Sequence, residues 1–222
     1  MSRLTIIQPD ARVTLGRFSA WLDQAEVAYR ICLAAEEPLP KPEDCDGVIV
    51  LGGHMGVGDA DSYPYLLPLQ EFMRGMVANE QPLLGICLGG QLLAAALGGT
   101  VLSRQRGERG VTSIMKTAAG QDDPLLQDLP QPFLSYQWHN DSFDLPEDAE
   151  LLAATTACPG QAFRVGPSAY GLQFHPEVNE TLVQEWTDRA GAGPGYLAEF
   201  QRQQAPFEAA SHTLLDNFLR LI

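Results

Sequence analysis

The chain has no run of about 18 apolar residues, so no membrane span is expected. Its N-terminal patch "LTIIQ" is broken by Pro9 and Asp10 and has no small-residue cleavage site after it. A secretory leader is therefore not expected, and a cytoplasmic setting is. Positive charge is scarce: 14 Lys and Arg stand against 28 Asp and Glu, a net charge of −14. Nucleic-acid binding through phosphates needs clustered cations, so it is not expected. The acidic residues are scattered, which reads as a solvated surface.

Metal and redox patterns are missing as well. The four cysteines, Cys32, Cys45, Cys87 and Cys158, form no C-x-x-C pair. His54, His139, His175 and His212 show no H-x-x-x-H spacing. Neither a structural zinc site nor a disulfide framework is expected. No Lys-Ser/Thr follows the glycine-rich "LGGHMGVGD", and G-x-G-x-x-G is absent, so that loop is not a Walker or dinucleotide loop.

What is present is alternation. "LTIIQ", "YRICLA", Gly47–Leu51 and "PLLGIC" read as strands, the last two apolar on both faces as in a central parallel sheet. Helical spacing of Phe18, Leu22 and Val27 separates the first two. Leu66, Leu69, Phe72, Met73 and Met76 mark a helix before "PLLGIC", and "GQLLAAALGG" a short one after it, stopped by Gly98 and Gly99. Strand and helix in alternation predict a doubly wound α/β sheet, mostly parallel and flavodoxin-like. From residue 100 on, "TVLSR", "VTSIMK", "FLSYQWH", "LLAATT", "QAFRVG" and "AYGLQFH" predict extra antiparallel strands. After Pro176 the pattern turns helical, in "ETLVQEWTDRA", then "YLAEFQRQQ" and "FEAASHTLLDNFLRLI" beyond the breaker "GAGPG". Residues 1–222 are read as one domain, with helices in 179–222 docked on it.

Cys87 sits in Gly85-Ile86-Cys87-Leu88-Gly89, a G-x-C-x-G with an apolar strand before it and a helix after it. This is the thiol counterpart of the G-x-S-x-G elbow. Such a turn lifts the nucleophile above the sheet, needs small residues two before and two after, and offers free helix N–H groups that favour an anion. On its own the motif is weak, because a cysteine after an apolar strand is more often packing; Cys32, Cys45 and Cys158 are read that way. "GLQFHPEV" supplies the rest of a catalytic set. Pro176 holds His175 extended, and residues i and i+2 then share a side, so Glu177 can orient the imidazole. Gly52 and Gly53 could free a backbone N–H to serve with that of Leu88 as an oxyanion hole, although a plain strand-exit turn accounts for the same glycines.

Together "LGGHMGVGD", "GICLGGQLLA", "YQWHNDSFDLP" and "GLQFHPEV", in that order, resemble the class I (triad) glutamine amidotransferase domain. Within it the chain is most similar to stand-alone proteins related to the amidotransferase domain of GMP synthase. The resemblance implies that Cys87 is the nucleophile, His175 the acid and base, and Glu177 its orienter. It implies an oxyanion hole at Gly53 and Leu88, with Gly52 beside it. Gln91 matches a substrate-contacting position, and Trp138, His139 and Asp141 match the segment lining the glutamine pocket; packing or turn capping accounts for these three as readily. His54 stands where related sequences often carry proline. No S-G-G-x-D-S stretch is present, so the ammonia acceptor would be a separate synthetase subunit or solvent. The implied substrate is glutamine or another γ-glutamyl compound, and no metal or organic cofactor is expected. A non-catalytic regulatory module with the same fold remains the alternative outside enzymology.

Overall fold

Fully apolar strands can only be inner strands, and the computed structural model, which describes residues 4–222, places them there. β1 (Leu4–Gln8) is buried along its whole length. α1 (Arg17–Gln24) follows and buries Phe18 and Leu22. Val27 lies past its end, because Glu26 takes φ 53° and the Val27 N–H turns back to the Leu22 carbonyl. β2 (Tyr29–Leu33) carries Ile31 exposed and forms a sheet edge. β3 (Gly47–Val50) and β4 (Leu83–Ile86) are wholly buried, and α2 (Leu66–Ala78) between them buries all five residues of the predicted apolar face. α3 (Leu88–Ala96) starts directly after Cys87, and Gly98 beyond it takes φ 89°.

The second half supplies β5 (Val101–Leu102), β6 (Glu108–Lys116), α4 (Ala118–Asp122), β7 (Phe133–His139), β8 (Ser142–Phe143), β9 (Glu150–Ala154), β10 (Ala162–Val165) and β11 (Ala169–Leu172). The main sheet runs β2-β1-β3-β4-β11-β10-β9-β6-β7. It is parallel from β2 to β11 and antiparallel from β11 to β7. The first five positions repeat the doubly wound order 2-1-3-4-5, with β11 as the fifth strand. The antiparallel strands thus extend the same sheet, while β5 and β8 pair separately.

α5 (Glu180–Ala190) is capped by the Asn179 side chain, which accepts from the Leu182 N–H. α6 (Gly195–Leu219) is continuous where the sequence predicted two helices meeting at Pro206. Pro206 lies on the exposed side, where water can take the carbonyl it leaves unbonded, and Phe200 and Phe207 on either side are fully buried. One face of the sheet packs Phe18, Leu22, Leu214 and Phe218 from α1 and α6. The other packs Leu69, Met73, Leu92 and Leu93 from α2 and α3. A third cluster joins Tyr136 of β7 to Trp186, Phe200 and Phe207 of α5 and α6.

Register fixes where the chemistry lands. β4 and β11 run side by side, with Gly85 opposite Gly171 and Ile86 opposite Leu172. Cys87 therefore emerges next to Gln173, two residues ahead of His175, at the carboxyl end of the sheet. Open α/β sheets place ligands at that end.

Candidate active site

Cys87 has φ 51° and ψ −104°, a conformation that a side-chain-bearing residue adopts only when its surroundings impose it. Its N–H donates to the Leu172 carbonyl at 2.8 Å, and α3 begins at the next residue. The glycines that the turn needs are present for physical reasons. A Cβ on Gly85 would stand 2.5 Å from the Gly89 carbonyl oxygen. One on Gly89 would run into the Val50 carbonyl, and one on Gly90 into that of Leu172. The turn is thus wedged between β3 and β11.

His175 lies past the end of β11, and its N–H is fixed to the Tyr136 carbonyl at 2.8 Å. Its Nδ1 is 2.7 Å from Glu177 Oε1, and Glu177 is completely buried. A carboxylate at Nδ1 assigns the proton to that nitrogen and leaves Nε2 free to face the cavity that Cys87 and His175 both line. The Trp186 ring meets the imidazole edge-on at 4.7 Å between centroids. Of the residues that the sequence singles out, the structure pairs His175 with Glu177 and sets Cys87 and His175 on the same cavity.

Burial disfavours the imidazolium, but the charges of Glu177 and Cys87 outweigh it and push His175 from 6.5 up to about 10. The folded state therefore holds a proton that the unfolded chain gives up. This contribution to stability is complete below about pH 6.5 and disappears as the pH climbs through about 10. The melting temperature of the wild type should fall more steeply across that window than that of His175→Gln. Parallel melting curves in buffers spanning it would contradict the assignment.

Gly53 and Leu88 lie close together. A Cβ on Gly53 would lie 2.8 Å from the Leu88 side chain, and Leu88 opens α3, so its N–H has no acceptor within the helix. Gly52 sits beneath the imidazole, its would-be Cβ 3.1 Å from His175 Cε1. His54 is half exposed but firmly held. Its N–H reaches Asp10 Oδ2 at 3.3 Å, its Nδ1 the same oxygen at 2.6 Å, and its Nε2 the Tyr63 hydroxyl at 2.9 Å. Burial works against the Asp10 carboxylate, yet hydrogen bonds from Arg12 and His54 hold it well below the usual carboxylate range. His54 thus ties the glycine loop to the turn after β1.

A cavity of about 900 Å³ opens over these groups, lined among others by Gly53, Cys87, Gln91, Trp138, Asp141 and His175. The Gln91 amide donates to the Asp141 carbonyl at 3.2 Å and to Gln173 Oε1 at 3.3 Å. Gln173 Nε2 in turn donates to the Cys87 sulfur at 3.7 Å. Asp141 also braces the wall, its Oδ1 accepting the Arg104 N–H at 2.7 Å. Trp138 is stacked under the Arg109 guanidinium, 4.9 Å from the ring centroid. Sequence reasoning missed Gln173, Arg109 and Trp186. Gln173 had a signal: it stands two before His175, by the same i, i+2 rule that finds Glu177.

Glu108, His139 and Cys158 form a second Cys-His-Glu constellation, their ligand atoms within 4.8 Å of one another. It is no second nucleophilic centre. Cys158 is fully buried, away from the cavity lining, and its thiol donates to the Gly160 carbonyl. Burial first, and then the Glu108 charge, push that thiol up to about 11, so it stays protonated near neutral pH.

Comparison with known proteins shows the family. The profile described as "Glutamine amidotransferase class-I" matches residues 24–187, a span holding Cys87, His175 and Glu177. The chain belongs to that family. It is 36% identical over 166 residues to a GMP synthase [glutamine-hydrolyzing] of Thermomicrobium roseum, which covers 72% of this chain and 29% of that protein. It is 30% identical over 152 residues to gamma-glutamyl peptidase 3 of Arabidopsis thaliana, covering 65% of this chain and 59% of that one. The chain thus spans under a third of the synthase and under two thirds of the peptidase. A crystal structure of a glutamine amidotransferase from Thermotoga maritima superposes on 99% of this amidotransferase chain, with TM-score 0.79 and 27% identity. Among the described residues no helix is long and apolar enough to cross a membrane.

Proposed function

We propose that this chain hydrolyses the side-chain amide of glutamine, or the γ-linkage of a related γ-glutamyl compound, through a thioester on Cys87. The Cys87 sulfur attacks the amide carbon, and the oxygen that gains charge is received by the N–H groups of Gly53 and Leu88. His175, charged and oriented by Glu177, gives its proton to the departing nitrogen as the C–N bond breaks. Water then attacks the thioester carbon, His175 takes its proton, the C–S bond breaks and the acid leaves. The steps balance without a metal or an organic cofactor. Ammonia would pass to a separate synthetase chain or to solvent.

The observation that carries this reading is the strained Cys87, held at φ 51°, on the same cavity wall as a His175 that Glu177 holds from behind at 2.7 Å. A regulatory module would have no use for that strain. A second reading, hydrolysis of γ-glutamyl peptides or conjugates, is favoured by the room available. The cavity is near the upper end of the roughly 300–1,000 Å³ that serves drug-sized ligands. Its lining carries Arg104, Arg109 and Arg189 as well as Asp10, Asp59 and Asp141, a wall of both charges that suits a larger zwitterionic γ-glutamyl substrate.

The deciding experiment compares product release from glutamine and from γ-glutamyl dipeptides with purified protein. Turnover of glutamine with kcat/KM at least as high as for the dipeptides supports the first reading. A dipeptide preference of about tenfold or more, a difference of about 1.4 kcal/mol in transition-state binding, selects the second. No turnover of either would overturn both.

A further inference from the structure

Glu108, His139 and Cys158 are distant in sequence, and the proposed reaction leaves their side chains without a role. Glu108 opens β6 and His139 closes β7, directly opposite each other in the antiparallel ladder. Cys158 comes from the turn between β9 and β10. Thr155 fixes it there: the Cys158 N–H donates to Thr155 Oγ1, and the Thr155 N–H donates to the Cys158 carbonyl, each at 3.0 Å. Histidine spacing along the chain gave no hint of a site because its members come from three separate elements.

His139 decides what the cluster can hold. Its Nδ1 lies 2.8 Å from the Asp141 carbonyl oxygen, which only accepts, so Nδ1 carries a proton. Its Nε2 is buried with no hydrogen-bond partner, and the ring is 1% exposed. That nitrogen stands 3.6 Å from Glu108 Oε2, beyond hydrogen-bond length. In the neutral ring a lone pair thus confronts a carboxylate oxygen in a buried space, an arrangement that calls for a cation between them. An Nδ1–H fixed on a carbonyl is also how proteins aim the other imidazole nitrogen at a metal.

We propose that Glu108 Oε2, His139 Nε2 and Cys158 Sγ bind a divalent transition ion, zinc being the best match to one carboxylate, one imidazole and one thiolate. Donor atoms around tetrahedral zinc stand about 3–4 Å apart, so the nitrogen–oxygen spacing already fits. The sulfur closes in by a side-chain adjustment. On binding, the S–H bond breaks, its proton leaves to water, and the sulfur electron pair goes to the ion. Thr155 Oγ1 and Gln161 Nε2 donate to the two Glu108 oxygens at 2.9 and 2.5 Å and would hold the carboxylate in place. The consequence reaches the cavity. His139 to Asp141 forms part of its wall, so a bound ion would stiffen that wall without touching Cys87. This site stands independently of the reaction proposed above.

The test uses the Cys87→Ala chain, in which the sulfur beside His175 no longer competes. Co²⁺ and Zn²⁺ are titrated in turn, with absorption and melting temperature as readouts. One equivalent of Co²⁺ should give a saturable thiolate-to-cobalt charge-transfer band, zinc should displace it, and each ion should raise the melting temperature. Adding Cys158→Ala should remove the band and weaken binding on the order of 100-fold, and adding Glu108→Gln instead should weaken it about tenfold. Circular dichroism confirms that each variant is folded. Absence of a band in folded Cys87→Ala protein overturns the proposal, and so does a band that survives Cys158→Ala.

Discussion

Replacing Cys87 with alanine is expected to abolish amide hydrolysis, lowering kcat/KM on the order of 10⁴-fold or more. The size of the effect follows from the mechanism. Without the sulfur no thioester forms, and His175 and Glu177 have no nucleophile to serve, so the set fails as a unit. Stability should change little, because alanine keeps the same Cβ at φ 51° and loss of the sulfur opens no large void. Substrate binding should survive, since the cavity wall formed by Gln91, Trp138 and Asp141 is untouched. Steady-state ammonia release together with a melting curve reads both. A Cys87→Ala chain that still turns over glutamine at more than a hundredth of the wild-type rate would contradict the assignment.

Gly89→Ala is expected to cost about 3 kcal/mol or more of folding stability, a large effect for one methyl group. The added carbon would collide with the Val50 carbonyl of β3, a backbone atom that cannot rotate away. Relief would require α3 to back off the sheet, and the Leu88 N–H and the Cys87 elbow would move with it. Activity should therefore fall even in the fraction that folds. Gly195→Ala is the matched control: nothing stands within 4 Å of its added carbon and its φ is ordinary, so the change should stay within about 0.5 kcal/mol. Urea midpoints of the two variants give the comparison. Equal midpoints would mean that the turn is not wedged between β3 and β11.

Local rules carried much of the site. Gly85, Cys87 and Gly89 follow from what a strand-to-helix elbow tolerates, and His175 with Glu177 from the two-residue repeat of extended chain. Those relations are short-range, so sequence spacing expresses them. Gln173 obeyed the same rule and was overlooked because a glutamine amide carries no catalytic chemistry of its own. Arg109 and Trp186 had no short-range signal. They reach the cavity because β6 pairs with β7 and because α5 packs behind His175, and both facts belong to tertiary packing. The fold shows the same division. Buried strands and the α2 face were legible from periodicity, while α4 and β8 were too short to show any. The passage of α6 through Pro206 rests on the burial of Phe200 and Phe207, which outweighs the local cost of proline. The pairing of Glu108 with His139 and Cys158 likewise depends on sheet register, out of reach of any spacing rule.

Of the four buried cysteines, Cys87 alone is proposed to act as the nucleophile. That assignment is tested most directly by treating the protein with a chloroketone analogue of glutamine and locating the adduct by peptide mass. A single adduct is expected, on Cys87, blocked by excess glutamine and slowed in His175→Gln. An adduct on Cys158, or label spread evenly over Cys32, Cys45, Cys87 and Cys158, would contradict it.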